Sequence, residues 1–526
     1  MTTATPSTTR TYDIICFGDE VPGLLAIVSA AREFCRRIGK NPRTLVMFKG
    51  NSPDGVGGHL VRGGLAYLDR THVPDDIRKK WSLSEFGDPA TLYKEFLQRS
   101  GVIKIALDPS KADAALRKML SESGTDIISR VEIRSVVIND SKMAGIQLNN
   151  GTTFLAKQFI DCTVNAELAQ ASGANKLKGF GTFGLPESEL PVTLTFETQG
   201  LTVARLQQVE LAYLKRLTNP SDDEAQRFIQ IASGGDRDLT NWFKKDLTDE
   251  KGQLKPMHVG SDHIDIRCKA LSIVYHAFRG KPFALSKSGA VFDAANIAVL
   301  PGGRLSWNAL LCHVTGSQAE LIARSAAKPT PEILEEMKFV DRFMKSLGAT
   351  SVRPAKELYI RHAGNVTEVV EPLSGARMLE GGTFKDEAIG TFGYALDVRG
   401  GIEGLGLKAS AKGFSSISFH KSPLFNIGIR HALLRSVPNL AVVSPASGFD
   451  GYACAAGRIV EFNVAVGQGV GIALALATTT DRDVATISNL EVRQVLKATR
   501  QESIIYGKSF VLEATNLRDF ETIMMA

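Results

Sequence analysis

The stretch YDIICFGDEVPGLLAIVSAAR, Tyr12 to Arg32, constrains the fold of this chain more than any other. Apolar residues Ile14, Ile15 and Phe17 run into Gly18, and Gly23 follows five residues on, opening a run of small and apolar side chains with helical character. This is the G-x-G-x-x-G layout of a nucleotide-binding strand-turn-helix with Glu20 in place of the middle glycine. That glycine normally lets backbone approach a pyrophosphate. A carboxylate there faces the phosphates with like charge, and two unit charges about 4 Å apart repel by about 4 kcal/mol at an effective dielectric near 20. Two arrangements are open. Glu20 can turn to solvent and leave the backbone N–H groups of Val21 to Leu24 for phosphate, or Asp19 or Glu20 can cap the helix and fill the anion site with the protein's own carboxylate.

The remaining 500 or so residues provide room for more than one layer around this unit: 44% of the 526 residues are hydrophobic and 22% charged, enough for two or more domains with sizeable cores. The net charge of +6 is spread over 62 basic and 56 acidic residues without a long single-sign run, so neither nucleic acid nor a membrane surface is indicated as a partner. Residues 1–11 read as a disordered tail without the apolar segment of a signal peptide, and no run reaches roughly 18 apolar residues, which predicts a cytoplasmic protein with no membrane span. The six cysteines are scattered, with no C-x-x-C and no paired histidine spacing, so no metal site is expected.

Thr44 to Phe48 reads as the second strand of a β-α-β unit. The loop NSPDGVGGHLVRGGLAYLD follows, and its five glycines between Gly55 and Gly64 mark backbone that turns sharply or approaches a ligand. A helical region, Asp75 to Ser123, is broken at Pro89 and Pro109. Ile127 to Asn139, the Asn150-Gly151 turn and Thr153 to Asp161 predict a small β-meander, which ends in FIDCTVNAELAQASGA. Residues 176–425 have the texture of an inserted α+β substrate or cap domain: the strand PVTLTFET, a polar insertion over Asn219 to Lys255 with little periodicity, and a helix at Pro331 to Leu347 with Ile333, Met337, Val340, Phe343 and Met344 on one face. Residues 426–480 return to the nucleotide fold through VPNLAVVSPA and RIVEFNVAVGQGVGIALALA, and 481–526 read as a helical tail.

Seven segments in this order resemble the FAD-dependent oxidoreductase family with its glutathione-reductase-like, two-domain flavoprotein fold. They are the opening unit, GGHLVRGGLAYLD, FIDCTVNAELAQASGA, PVTLTFE, Glu357 to Gly400, Val437 to Ala477, and ISNLEVRQVL. The resemblance implies an α/β fold, with a Rossmann-like FAD/NAD(P)-binding domain made of 12–175 and 426–480. It also implies non-covalent FAD, a small-molecule substrate between the domains, and transfer of hydride or electrons. Carried over by position, Gly18 and Gly23 meet the pyrophosphate, Gly57, Gly58 and Thr163 pack against the cofactor, and Gly467 with Gln468 points a helix N-terminus at the flavin. Four positions depart from the family pattern: Glu20, Lys49 where a ribose-binding carboxylate is usual, Val164 for a glycine, and Ser444 to Ala446 for Ala-Gly-Arg. Lys49 could neutralise a phosphate, and Asp54 could replace the ribose acceptor. Arg458 falls where the family has an arginine leading into its last helix, suited to flavin or a substrate carboxylate. These departures also admit a scaffold that has lost FAD and serves as a binding or assembly protein, or one that takes another nucleotide.

Proton transfer near neutral pH favours histidine. His59 lies in the glycine-rich loop, His362 follows Arg361 in ELYIRHAGN, and His420 lies where the substrate domain returns to the nucleotide domain; Arg361 and Arg62 are candidates for holding an anionic substrate group.

Overall fold

β-Strands with apolar residues at every position must be covered on both faces. In the computed structural model, which describes residues 8–414 and 421–526, β2 (Ile14–Phe17), β3 (Thr44–Phe48) and β8 (Gln158–Asp161) are buried throughout. With β4 (Thr125–Ser129) and Leu440–Val442 they form a five-stranded parallel sheet in the order Leu440–Val442, β8, β2, β3, β4. The sequence pattern had joined Ile127 to Asn139, but this stretch is divided. Thr125–Ser129 belongs to the parallel sheet, whereas β5 (Ile133–Asn139) pairs with β6 (Lys142–Leu148) in the meander. Thr153 to Asp161 divides likewise into β7 (Thr153–Leu155) in the meander and β8 in the main sheet. The expected tail also needs correction, because β1 (Thr9–Thr11) runs parallel to β7.

The turn after β2 leads into α1 (Val21–Ile38), which lies along the buried helix Val460–Thr479. A side chain at Gly467 would place its Cβ 2.5 Å from the Pro22 carbonyl oxygen, so the two helix backbones touch there. Gln468 accepts the Leu92 N–H at 2.8 Å, and its carbonyl accepts Ser29 Oγ at 2.8 Å. Gly467 and Gln468 are therefore packing residues in a helix interior, two turns past its N-terminus, which corrects the cofactor role expected of them. By length and composition alone Val460–Thr479 could cross a membrane, but it is buried in the interior of this chain.

The second layer is a six-stranded antiparallel sheet in the order His258–Val259, His263–Asp265, Ala290–Leu300, Arg304–Cys312, Val192–Gln199, Ser351–Pro354. Pro331–Leu347 is a helix as its apolar stripe predicts, and it packs with Ala270–Arg279 on this sheet. The polar insertion is helical rather than irregular. Asp222 and Asp236 cap Asp223–Ser233 and Arg237–Asp246, and Ala225, Ile229, Ala232 and Phe243 are sufficient anchors. The last residues are not a loose tail. Val511–Met525 docks through Ala514, Leu517 and Phe520 onto Phe180, Phe183 and Leu379, and Glu521 accepts the backbone N–H groups of Gly375, Ala376 and Tyr452.

Candidate functional site

Four chain segments converge at the C-terminal ends of β2, β3 and β8, the crevice where open α/β sheets bind ligands. They are Gly18 to Glu20, Phe48 to Gly50, Cys162 to Asn165, and Leu358 with Ile360 from the second layer; together with His59, Arg62, Glu167 and Glu357 they line a cavity of about 70 Å³.

Glu20 occupies the N-cap position of α1 in extended backbone but makes no cap bond. Its side chain crosses to α2 (Gly58–Val61), where Oε1 accepts the His59 N–H at 3.2 Å and Oε2 bonds the imidazole Nδ1. Asp19 Oδ2 accepts the N–H groups of Gly57 at 3.0 Å and Gly58 at 3.3 Å. Both carboxylates thus hold the glycine-rich loop rather than α1, and both are buried, so neither arrangement expected from the sequence is the one found. Glycine suits position 58, where φ is 50° and a Cβ would sit 2.2 Å from Glu20 Oε1 unless that carboxylate moved.

Arg62 closes the group. It grips both oxygens of Asp19, with Nη2–Oδ1 at 2.9 Å, donates to Glu357 Oε1 at 2.6 Å and to the Gly55 carbonyl at 2.8 Å, and lies over the Phe48 ring. Burial opposes its charge, but Asp19 and Glu357 more than offset that and raise its pKa. Glu357 is pushed up to about 7 by burial, with Arg62 countering only in part. Lys49 is equally committed, pairing with Glu167 at 2.8 Å and Glu132 at 2.9 Å and donating to the Arg324 carbonyl at 2.9 Å. Asp54 bonds Lys356 and Asn51. Thr163 lines the cavity, but its hydroxyl donates to Asp161 at 2.7 Å and accepts the Glu167 N–H at 2.8 Å.

His59 also stacks on Tyr359, with ring centroids 4.9 Å apart, and Tyr359 in turn lines a smaller cavity with Tyr67, Asp69 and Arg458. Arg458 is buried beside Tyr394 and contacts Asp397 at 3.4 Å. Two buried atoms in this neighbourhood, His59 Nε2 and Arg458 Nε, have no hydrogen-bond partner among the described residues.

The structure does not bring all candidates together. Arg361 lines neither cavity. It is 1% exposed, spends its guanidinium on Pro191 O, Thr193 Oγ1 and Asn308 Oδ1, and is lowered by burial to about 10, so it is a structural arginine rather than a free anion clamp. His362 stacks on Phe180 and bonds Glu189 at 2.7 Å, and it lines neither cavity. His420 lies outside the described residues. Asp19, expected as a possible cap of α1, holds the glycine-rich loop instead, and Glu357 was missed, since nothing local in the sequence marks it. Cys16 and Cys162, far apart in sequence, bring their Sγ atoms to 3.4 Å beneath the turn, and burial raises the Cys162 thiol well above its usual range, which keeps it protonated and inert.

Buried acids give this protein a pH signature. Burial raises Glu357 and Glu521 to about 7 and Asp161 to about 6, so the folded chain keeps protons that unfolded carboxyls have lost. Their stabilising influence is lost as pH rises through those values. Burial lowers His276 to about 4 and His431 to about 3, and their contribution is lost in the opposite direction, as pH falls below 6.5. The two sets oppose each other most below pH 6.5, and over the next pH unit the histidines' opposing share fades and the two glutamates become the larger influence. Thermal stability is therefore expected to fall between about pH 6.5 and 8, by about 1 kcal/mol per glutamate, and Glu357→Gln to flatten that slope. An unchanged slope in the variant would show that Glu357 does not titrate there.

The sequence profile of the FAD dependent oxidoreductase family matches residues 13–497. The chain belongs to that family. No curated protein sequence matches it. Among solved structures, L-proline dehydrogenase from P. horikoshii aligns over 94% of this chain and 99% of its own, at 10% identity and a TM-score of 0.34. The myxobacterial FAD-dependent halogenase CndH aligns over 98% of this chain and 90% of its own, at 10% identity and a TM-score of 0.36. Likenesses this distant carry no argument about activity.

FAD is the cofactor of this oxidoreductase family. The residues at the ring end of its expected site fit a ligand, because the buried ring nitrogen His59 Nε2 and the buried donor Arg458 Nε have no partner among the described residues. At the diphosphate end the closed arrangement does not fit. Asp19 and Glu20 already hold the N–H groups of Gly57, Gly58 and His59, Arg62 is already paired with Asp19 and Glu357, and about 70 Å³ is well short of the roughly 300–1,000 Å³ of small-molecule sites. Val164 lines the same cavity. No chemical step follows from the site in this closed form.

Proposed function

We propose that this FAD-dependent oxidoreductase passes hydride or electrons between a small-molecule substrate and non-covalently held flavin, and that two internal contacts, Asp19–Arg62–Glu357 and Glu20–His59, keep the cofactor site shut until it is filled. The observation that supports this reading is the pair of orphaned buried atoms, His59 Nε2 and Arg458 Nε, beside Tyr359. A buried polar atom without a partner costs about 1–3 kcal/mol, a penalty that a bound ligand removes. At the other end the exchange is of one anion for another. Once Asp19 and Glu20 swing away, the N–H groups they occupy are free to hold a diphosphate. Arg62, released from Asp19, supplies a positive charge at the same place. All six cysteines are free, which supports a reducing, cytoplasmic setting.

The test is direct. Purified protein incubated with excess FAD, then freed of unbound cofactor, is expected to show flavin absorbance near ~450 nm and to release flavin on denaturation. Protein that remains colourless overturns the reading and leaves the scaffold as a binding module.

A further inference from the structure

We infer that His258, His263 and Asp265 form a binding site for one divalent transition cation of the zinc type. The two strands that carry them are the edge hairpin of the six-stranded sheet, in which His258 and Asp265 stand directly opposite each other. His263 is two residues from Asp265 and so shares its face of the pleat. One ligand atom from each of the three lies within 4.8 Å of the others. Around tetrahedral zinc, with bonds of about 2.0–2.1 Å, such atoms sit about 3.3 Å apart. The remaining contraction falls to His258, whose exposed ring at the sheet edge can swing inward.

The surroundings set the other two ligands in place. His263 Nδ1 bonds Asp262 Oδ1 at 3.1 Å, which leaves Nε2 directed toward Asp265 Oδ2 at 3.8 Å. Asp262 is itself fixed, its second oxygen accepting the backbone N–H groups of Lys104, Ile105 and Ala106 at 3.0, 3.0 and 3.1 Å. Asp265 Oδ1 accepts the Tyr67 hydroxyl at 2.7 Å, so Oδ2 is the oxygen left for a cation. Metal-ligating histidines almost always give their second nitrogen to a carboxylate or carbonyl in this manner. Gly260 admits the ring, since a Cβ there would lie 2.2 Å from His263 Cε1. Two imidazoles and a carboxylate suit a borderline cation rather than magnesium or calcium, and three protein ligands leave a coordination position open. Tyr67 links the hairpin to the cavity that also holds Tyr359 and Arg458, so a cation bound here would lie one side chain from the candidate functional site.

The experiment uses the full chain without an affinity tag, stripped with chelator and titrated with zinc by calorimetry, with metal content measured after dialysis. About one zinc per chain is expected, with affinity lowered at least tenfold in His258→Ala and about 10–100-fold in Asp262→Asn, which deletes the orienting charge beside His263 while leaving one oxygen for the N–H groups of Lys104, Ile105 and Ala106. His258 is exposed, so its variant tests the site without disturbing the core. Binding of much less than one zinc, or saturable binding that His258→Ala and Asp262→Asn leave unchanged, overturns the inference.

Discussion

Replacing Arg62 with methionine is expected to lower folding stability by about 3–5 kcal/mol, the usual cost of removing one partner from a buried ion pair. Arg62 is 4% exposed at its side chain and is the cation shared by Asp19 and Glu357, whose side chains are 6% and 13% exposed. Methionine roughly preserves the packed volume over Phe48 but leaves two carboxyl groups facing each other with no positive charge between them. Charge accounts for most of the loss, so adding Asp19→Asn and Glu357→Gln to Arg62→Met should recover a substantial part of it. Urea denaturation of the three proteins measures both quantities. A single variant within about 1 kcal/mol of the parent would mean that the buried carboxyls are relieved in some other way, and the proposed latch would lose its physical basis.

Glu20→Gly is expected to tighten FAD binding at least tenfold, or about 1.4 kcal/mol. The ceiling is the roughly 4 kcal/mol of repulsion between unit charges about 4 Å apart at an effective dielectric near 20. Removing the carboxylate also frees the His59 N–H and empties the space above Gly58. Glu20→Gln separates the two contributions, because it keeps the bulk and deletes the charge. Flavin fluorescence quenching gives the dissociation constants. An unchanged or weaker constant for Glu20→Gly would show that this residue does not oppose the diphosphate, even if FAD binds.

Much of the architecture is legible in local pattern. The apolar strand entering Gly18, the glycine-rich loop after the second strand, and the one-sided stripe of Pro331–Leu347 each report a structure formed within a few residues. The functional neighbourhood is less legible because its contacts are long-range. The Asp19–Gly57 and Glu20–His59 contacts span 38 and 39 residues and Arg62–Glu357 spans 295, so a reading of the turn alone could place Glu20 only in solvent or on its own helix. Arg361 and His362 illustrate the converse: polar residues in a promising segment whose partners, Thr193 and Glu189, lie about 170 residues away and fix them for structure. His258, His263 and Asp265 show no standard spacing in the chain and meet only because a hairpin sets two of them side by side.

The packing of α1 against Val460–Thr479 governs the order in which this protein can mature. The first long helix carries an apolar flank whose partner helix lies more than 400 residues later in the chain, and that partner is itself buried on nearly every side. Until that later helix has been synthesised, the nucleotide-binding layer lacks its closing element, while the six-stranded layer encoded between the two helices can assemble first. Such late, non-local closure is slow and leaves greasy surface uncovered for the length of translation. The contact that closes the mature interior is thus one that the nascent chain is expected to make late, with the apolar flank of α1 open to aggregation until then.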